Sequence, residues 1–167
     1  GDGRVIQQKT YNDDIPAGVD TGSTLRLGGL GAAGVRGGGH GDLYVHVRVR
    51  AHDRFERQGN DLVDELHIAF TQASLGTHLD YETLDGTEDL VISRGTHTGR
   101  IFRLRGRGVP HVQGRGRGDL LVQVVVDTPT EIDAGEEDLL RQLAALRGED
   151  VAPVDTGLMS RIRSAFK

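Results

Sequence analysis

A self-similarity at a fixed offset constrains this chain more than any other feature. Ile15-Pro-Ala-Gly18 followed by Gly22 recurs, at an offset of 77 residues, as Ile92-Ser-Arg-Gly95 followed by Gly99. Leu25-Arg26-Leu27 recurs as Phe102-Arg103-Leu104, and Gly29 and Gly31 recur as Gly106 and Gly108. Gly41-Asp42-Leu43 maps to Gly118-Asp119-Leu120, and Val45, Val47 and Val49 map to Val122, Val124 and Val126. No gap is needed, and about half of the positions between Ile15 and Val49 are identical to their partners. Chance likeness of Gly-rich segments explains shared glycines but not shared spacing of apolar residues. A period this long implies two copies of a domain-sized unit, not a short solenoid repeat.

Each copy reads as β-structure. Leu43, Val45, Val47 and Val49 alternate with Tyr44, His46, Arg48 and Arg50, the pattern of a half-buried strand. Leu120 to Val126 is apolar on both faces, as in a strand covered on both sides. Between the copies, Leu62, Leu66, Ile68 and Phe70 fall on one face of a strand that Asp64 interrupts. Asp85-Gly86 between two apolar runs predicts a hairpin. The polar stretch from Arg54 to Asn60 reads as the join between units, and Gly18, Gly22, Gly29 and Gly31 as turn residues where φ is positive. Composition agrees. With 36% hydrophobic residues, 4% aromatic and no Trp, a core must be built from Leu, Val and Ile, and 25 glycines suit many turns.

One helix is predicted. Asp133 can cap it, with Glu136 three positions later completing a capping box, and Gly148 stops it. Leu139, Leu140, Leu143 and Leu146 recur on one face, which must pack on the second β-unit or on the same face of another copy. Beyond it, Val151 to Thr156 reads as a linker. Leu158, Met159, Ile162 and Phe166, with Arg161, Arg163 and Lys167, form a basic amphipathic turn or a frayed tail.

Several function classes fall away. No apolar run approaches the roughly 20 residues that span a bilayer. With no Cys, disulfides and thiolate metal sites are excluded within the chain. The seven His are scattered without ligand spacing, and no Gly-x-Ser-x-Gly elbow or paired carboxylates point to catalysis. Gly29-Leu-Gly31-Ala-Ala-Gly34 matches a dinucleotide fingerprint, but that motif needs a following helix, and more Gly and a strand follow instead. Arg100, Arg103, Arg105, Arg107, Arg115 and Arg117 make a local basic cluster. A nucleic-acid-binding module using the Arg/Gly-rich segment 100–117 is therefore the alternative reading. A net charge of -5 and the lack of interleaved aromatics favour a solvated surface. The opening Gly1-Asp-Gly-Arg4 is neither a leader nor a natural start, so the chain reads as a piece of something longer.

These residues, in this order, resemble the carboxy-terminal region of DnaJ-type co-chaperones. The signatures are Ile15-Pro-Ala-Gly-Val-Asp-Thr-Gly22, Gly41-Asp-Leu-Tyr-Val45, His52-Asp-Arg-Phe-Glu-Arg57, Phe70-Thr-Gln-Ala-Ser-Leu-Gly76 and Thr83-Leu-Asp-Gly86. They continue with Gly95-Thr-His-Thr-Gly99, Phe102-Arg-Leu-Arg-Gly-Arg-Gly-Val-Pro110 and Gly114-Arg-Gly-Arg-Gly-Asp-Leu-Leu-Val122. The resemblance implies a mainly β fold. Two tandem similar β-sandwich domains, the first truncated at its N-terminus, would precede a C-terminal dimerisation helix. The expected boundaries are 1–55, 56–130, 131–148 for the helix and 149–167 for the tail.

It further implies a non-enzymatic bacterial cytoplasmic protein that holds unfolded clients, dimerises and passes clients to a DnaK-type chaperone. By the family's pattern Tyr11 and Val45 line the client pocket, with Leu25 and Leu27 as neighbours, while Leu139, Leu140, Leu143 and Leu146 make the dimer. Nucleic acid and membrane are not expected partners. The J-domain and its His-Pro-Asp tripeptide are absent from the chain. Gly1 to Val5 resembles the end of the family's zinc-binding insertion, but without its cysteines no zinc is expected here. The strands that open the first sandwich in relatives are also missing, which leaves an exposed edge. Asp13 and Asp64 stand where apolar side chains are usual, and an unpaired buried carboxylate there would weaken the fold.

Overall fold

A computed structural model describes residues 6–154. The chain divides after Asp127 into two compact units.

The first unit contains both copies of the repeat. In the first copy, β1 (Thr24–Leu27) pairs antiparallel with β2 (Leu43–His46). Next come β3 (Glu56–Gln58), β4 (Asp61–Ala69) and the short helix α1 (Phe70–Leu75). The hairpin β5 (Thr77–Thr83) and β6 (Gly86–Ile92) follows, then β7 (Ile101–Leu104) and β8 (Leu120–Asp127). Strands β3, β4, β8 and β7 form one sheet in that order, with β4 and β8 parallel.

The repeat holds hydrogen bond by hydrogen bond. Leu27 faces Leu43 in β1–β2, and Leu104 faces Leu120 in β7–β8. Asp42 Oδ1 accepts from Gly29 N at 2.9 Å, and Asp119 Oδ1 from Gly106 N at 2.8 Å. Thr21 Oγ1 accepts from Val49 N at 2.9 Å, and Thr98 Oγ1 from Val126 N at 2.8 Å. Gly31 and Gly108 are glycine because the opposing chain passes over them. A Cβ on either would sit 2.5 Å from a backbone atom of the returning strand or its neighbours. Identical spacing thus encodes identical loop closure in both copies.

Only the second copy acquires a core. Leu120, Val122 and Val124 are completely buried: β4 and β7 flank β8 in the sheet, and side chains of the β5–β6 hairpin share their cluster. Leu62, Ile68 and Ala73 join them, as do Tyr81, Leu90 and Ile92 from the hairpin, so the sheet and the hairpin make two layers. The expected mainly β architecture with a C-terminal helix is present.

Several local expectations need correction. Phe70 does not extend the β4 strand; it opens α1, whose start is fixed by Ala69 N donating to Gln72 Oε1 at 2.9 Å. Periodicity missed this helix because six residues give fewer than two turns. The Arg54–Asn60 stretch is not a plain connector, since β3 lies within it and adds an edge to the large sheet. The alternation through Val49 yields only a four-residue strand, and β2 is exposed along its whole length. Ile6 to Asp14 forms no strand, and Asp13 is exposed. The dinucleotide-like glycines lead to a single three-residue 3-10 turn, Val35–Gly37, so no helix follows them.

The second unit contains α2 (Ala134–Arg147). Its capping box is formed as expected: Glu136 N donates to Asp133 Oδ1 at 2.8 Å, and Asp133 N to Glu136 Oε2 at 2.7 Å. Gly148 ends it in the left-handed conformation, φ 67°. The segment after it folds back, with Arg141 Nη1 donating to Ala152 O at 2.7 Å. Leu158, Met159, Arg161, Ile162, Arg163, Phe166 and Lys167 of the proposed basic tail lie outside the described residues.

Candidate protein-binding surfaces

The two copies differ in what surrounds their shared strand. Strand β8 is flanked on both sides, whereas β2 pairs only with β1 among the described residues. The consequence is a large difference in exposure at equivalent positions. Val45 is 39% exposed and Val122 not at all. Leu43 and Tyr44 are likewise exposed, while Leu120 is fully buried. The free N–H and C=O groups of β2, beside apolar side chains, are what an extended peptide needs in order to add as a strand.

Of the residues expected to line a client site, Val45 faces Leu25 across the β1–β2 pair, and Leu27 faces Leu43. Leu25 and Leu27 are half-buried, and Val45 is exposed. Tyr11 is exposed in the irregular segment before β1. No bond of the Tyr11 hydroxyl to β1 or β2 is present. Leu43 and Tyr44 share the open strand and were not singled out from sequence. The offset of 77 residues pairs Leu43 with Leu120, which is fully buried, so nothing in the sequence marked Leu43 as exposed.

The helix leucines divide into two sets. Leu139, Leu143 and Leu146 are exposed, Leu146 to 86%. Leu140 is half-buried and, with Ile132, Val151 and Ala152, lines a shallow groove of about 270 Å³. Arg141 bridges to Glu137 along one side of it at 2.8 Å.

Three of the six arginines in the Arg/Gly segment, Arg103, Arg107 and Arg117, are paired with carboxylates. Arg117 Nη1 lies 2.9 Å from Asp85 Oδ1, and Arg107 pairs with Glu88. Arg103 stands 3.6 Å from Asp119, and Arg100 covers the Phe102 ring. The Arg117 hydrogen bond holds the Asp85 carboxyl below its ordinary range. Guanidiniums already matched to carboxylates are poor phosphate ligands. Among the described residues no cluster of three or more His, Cys, Asp or Glu side chains could hold a metal ion.

Asp64 is buried, as the strand pattern required, but it is not unpaired. Arg54 Nε and Nη2 approach its Oδ2 at 2.9 and 2.8 Å, and the Tyr81 hydroxyl donates to the same oxygen. The Arg54 guanidinium also stacks on the Phe55 and Tyr81 rings, with its central carbon 4.8 and 4.6 Å from their centroids. Burial, and then the bond to Asp64, push the Tyr81 hydroxyl pKa up. Sequence reasoning noticed the carboxylate and missed its partners, which come from the connector and the hairpin.

The chain thus combines a duplicated β-unit with a helix that carries exposed leucines. Comparison with known families makes this specific. The model of the DnaJ C terminal domain matches residues 4–129, and that of the chaperone protein DnaJ C-terminal region matches residues 136–167. The chain belongs to the DnaJ C-terminal domain family. It is 44% identical over 164 residues to the chaperone protein DnaJ of Ruminiclostridium cellulolyticum, covering 98% of this chain and 43% of that protein. To the DnaJ of Halalkalibacterium halodurans it is 44% identical over 167 residues, covering 100% and 45%. To chaperone protein DnaJ 2 of Streptomyces avermitilis it is 47% identical over 169 residues, covering 98% and 45%. The chain therefore spans less than half the length of these curated relatives.

Proposed function

We propose that this chain captures unfolded polypeptide on the open β1–β2 edge, dimerises through α2 and presents its clients to a DnaK-type chaperone in the cytoplasm. It would do so without catalysing a reaction. The observation that carries this reading is the apolar surface of the β1–β2 pair, where Leu43, Tyr44 and Val45 are exposed, in a chain that matches the DnaJ C terminal domain over residues 4–129. An unfolded segment adding to that edge gains main-chain hydrogen bonds that do not depend on its sequence, while Leu25, Leu27, Val45 and Tyr11 offer apolar contact. Broad client choice follows from that division. Leu139, Leu143 and Leu146 supply an exposed apolar stripe for a second copy, with Leu140 behind them. Two weak arms joined in one dimer bind a long client more tightly than either arm alone.

The domain limits 1–55, 56–130, 131–148 and 149–167 belong to the same proposal. The test is suppression of aggregation of a chemically unfolded protein by the wild type and by Val45→Asp. A charge on the open edge should abolish protection while leaving the melting temperature unchanged. Full protection by Val45→Asp would remove the β1–β2 edge from client binding.

A further inference from the structure

Arg57 stands on β3, and its guanidinium gathers three backbone carbonyls. Nη1 donates to Val19 O at 2.7 Å, Nη2 to Gly18 O at 2.8 Å and Nε to Gly59 O at 2.8 Å. The Asp20 carboxylate lies 3.6 Å away. Gly18 and Val19 belong to the first copy of the repeat, whereas Gly59 belongs to the turn that feeds β4 of the large sheet. A second contact converges there. A Cβ on Gly18 would lie 2.0 Å from Pro110 O, so the first copy's turn rests directly on the second copy's glycine loop. That loop is itself tied to the β3–β4 turn, since Val109 N donates to Asn60 O at 2.8 Å.

The repeat supplies an internal control. Gly95 occupies the position equivalent to Gly18 and shares its positive φ, yet a Cβ there would meet nothing within 4 Å. The crowding at Gly18 is therefore a property of the joint and not of the turn. Between Val49, bonded to Thr21, and Arg54, bonded to Asp64, residues 50–53 form no helix or strand that could hold the copies at a fixed angle.

We propose that Arg57 is a positioning residue: its fork locks the Gly18–Val19 turn onto the second copy and so fixes the direction in which the β1–β2 edge faces. The link to clients rests on the function proposed above; the lock itself does not. A planar fork suits this task, because three separate nitrogens hold three carbonyls in one fixed geometry, whereas the donors of an ammonium all radiate from a single nitrogen.

Residual dipolar couplings of the β1–β2 and β4–β8 amides read the orientation directly, without any client. In the wild type both sets should fit one common alignment tensor. In Arg57→Lys, and more strongly in Arg57→Ala, the two tensors should separate, with each set still self-consistent. Gln58→Ala, on the same strand, should keep one tensor. A common tensor in Arg57→Ala overturns the proposal, as does equal separation in Gln58→Ala. Should Arg57→Ala unfold the first copy, Arg57→Lys decides alone by the same criterion. If the tensors separate in a protein that binds no unfolded polypeptide, the lock stands and the client reading falls.

Discussion

Replacing Asp64 with Ala would remove the carboxylate oxygen that the Arg54 guanidinium and the Tyr81 hydroxyl share, leaving Arg54 Nη1 on Glu82 O. Asp64 is 6% exposed, while the Arg54 side chain reaches solvent. The loss should therefore be about 2–3 kcal/mol, at the low end for breaking a buried ion pair. Tyr81→Phe removes one donor and should cost about 1 kcal/mol. Urea midpoints of the two variants test this order, and equal stability of Asp64→Ala and wild type would contradict it. From sequence, Asp64 looked like a fault in a strand because its partners lie 10 and 17 residues away, beyond any local pattern.

His67 offers a second residue-scale expectation. Asp127 at 2.8 Å, and then Glu65 at 3.0 Å, hold the imidazolium and raise its pKa above 6.5. A raised folded-state pKa means that the contribution to stability is complete below pH 6.5 and is lost as pH rises through the folded value. An NMR titration of the His67 ring should show the raised midpoint, and Asp127→Asn should bring it down. A midpoint unchanged by that substitution would place the cause elsewhere.

At the scale of elements, β2 and β8 are the same strand in two settings. Truncation of Val122 in β8 should cost about 2 kcal/mol, because it opens a cavity in a fully packed sheet. Val45→Ala in β2 should fall within about 0.5 kcal/mol of the wild type, as for other exposed positions. Thermal melts of the matched pair measure this directly, and equal losses would mean that β2 is covered. The repeat was legible because Gly31 and Gly108, Asp42 and Asp119, and Thr21 and Thr98 do the same work in both copies. The difference in burial was not legible, since it depends on β4 and on the β5–β6 hairpin, which are remote from β8 in sequence. The helix was legible at both ends, because Asp133, Glu136 and Gly148 act locally. The α1 turn was too short to set a period, and β3 was hidden by its charged residues.

For the whole molecule, the exposed stripe of Leu139, Leu143 and Leu146 predicts self-association. Leu143→Asp should halve the mass seen by sedimentation, because a carboxylate in an apolar interface has no partner. An unchanged dimer would assign the stripe another role. The ordered signatures from Ile15 to Val122 made the family legible, since each alone is weak and their sequence order is not.

The most direct measurement is a binding titration of this chain against a permanently unfolded, labelled polypeptide at two salt concentrations. A folded protein and a single-stranded oligonucleotide serve as comparisons. Strand addition and apolar contact predict selective binding to the unfolded chain that persists at the higher salt. Binding to the oligonucleotide alone, falling steeply with salt, would contradict the account and return function to the Arg/Gly segment 100–117.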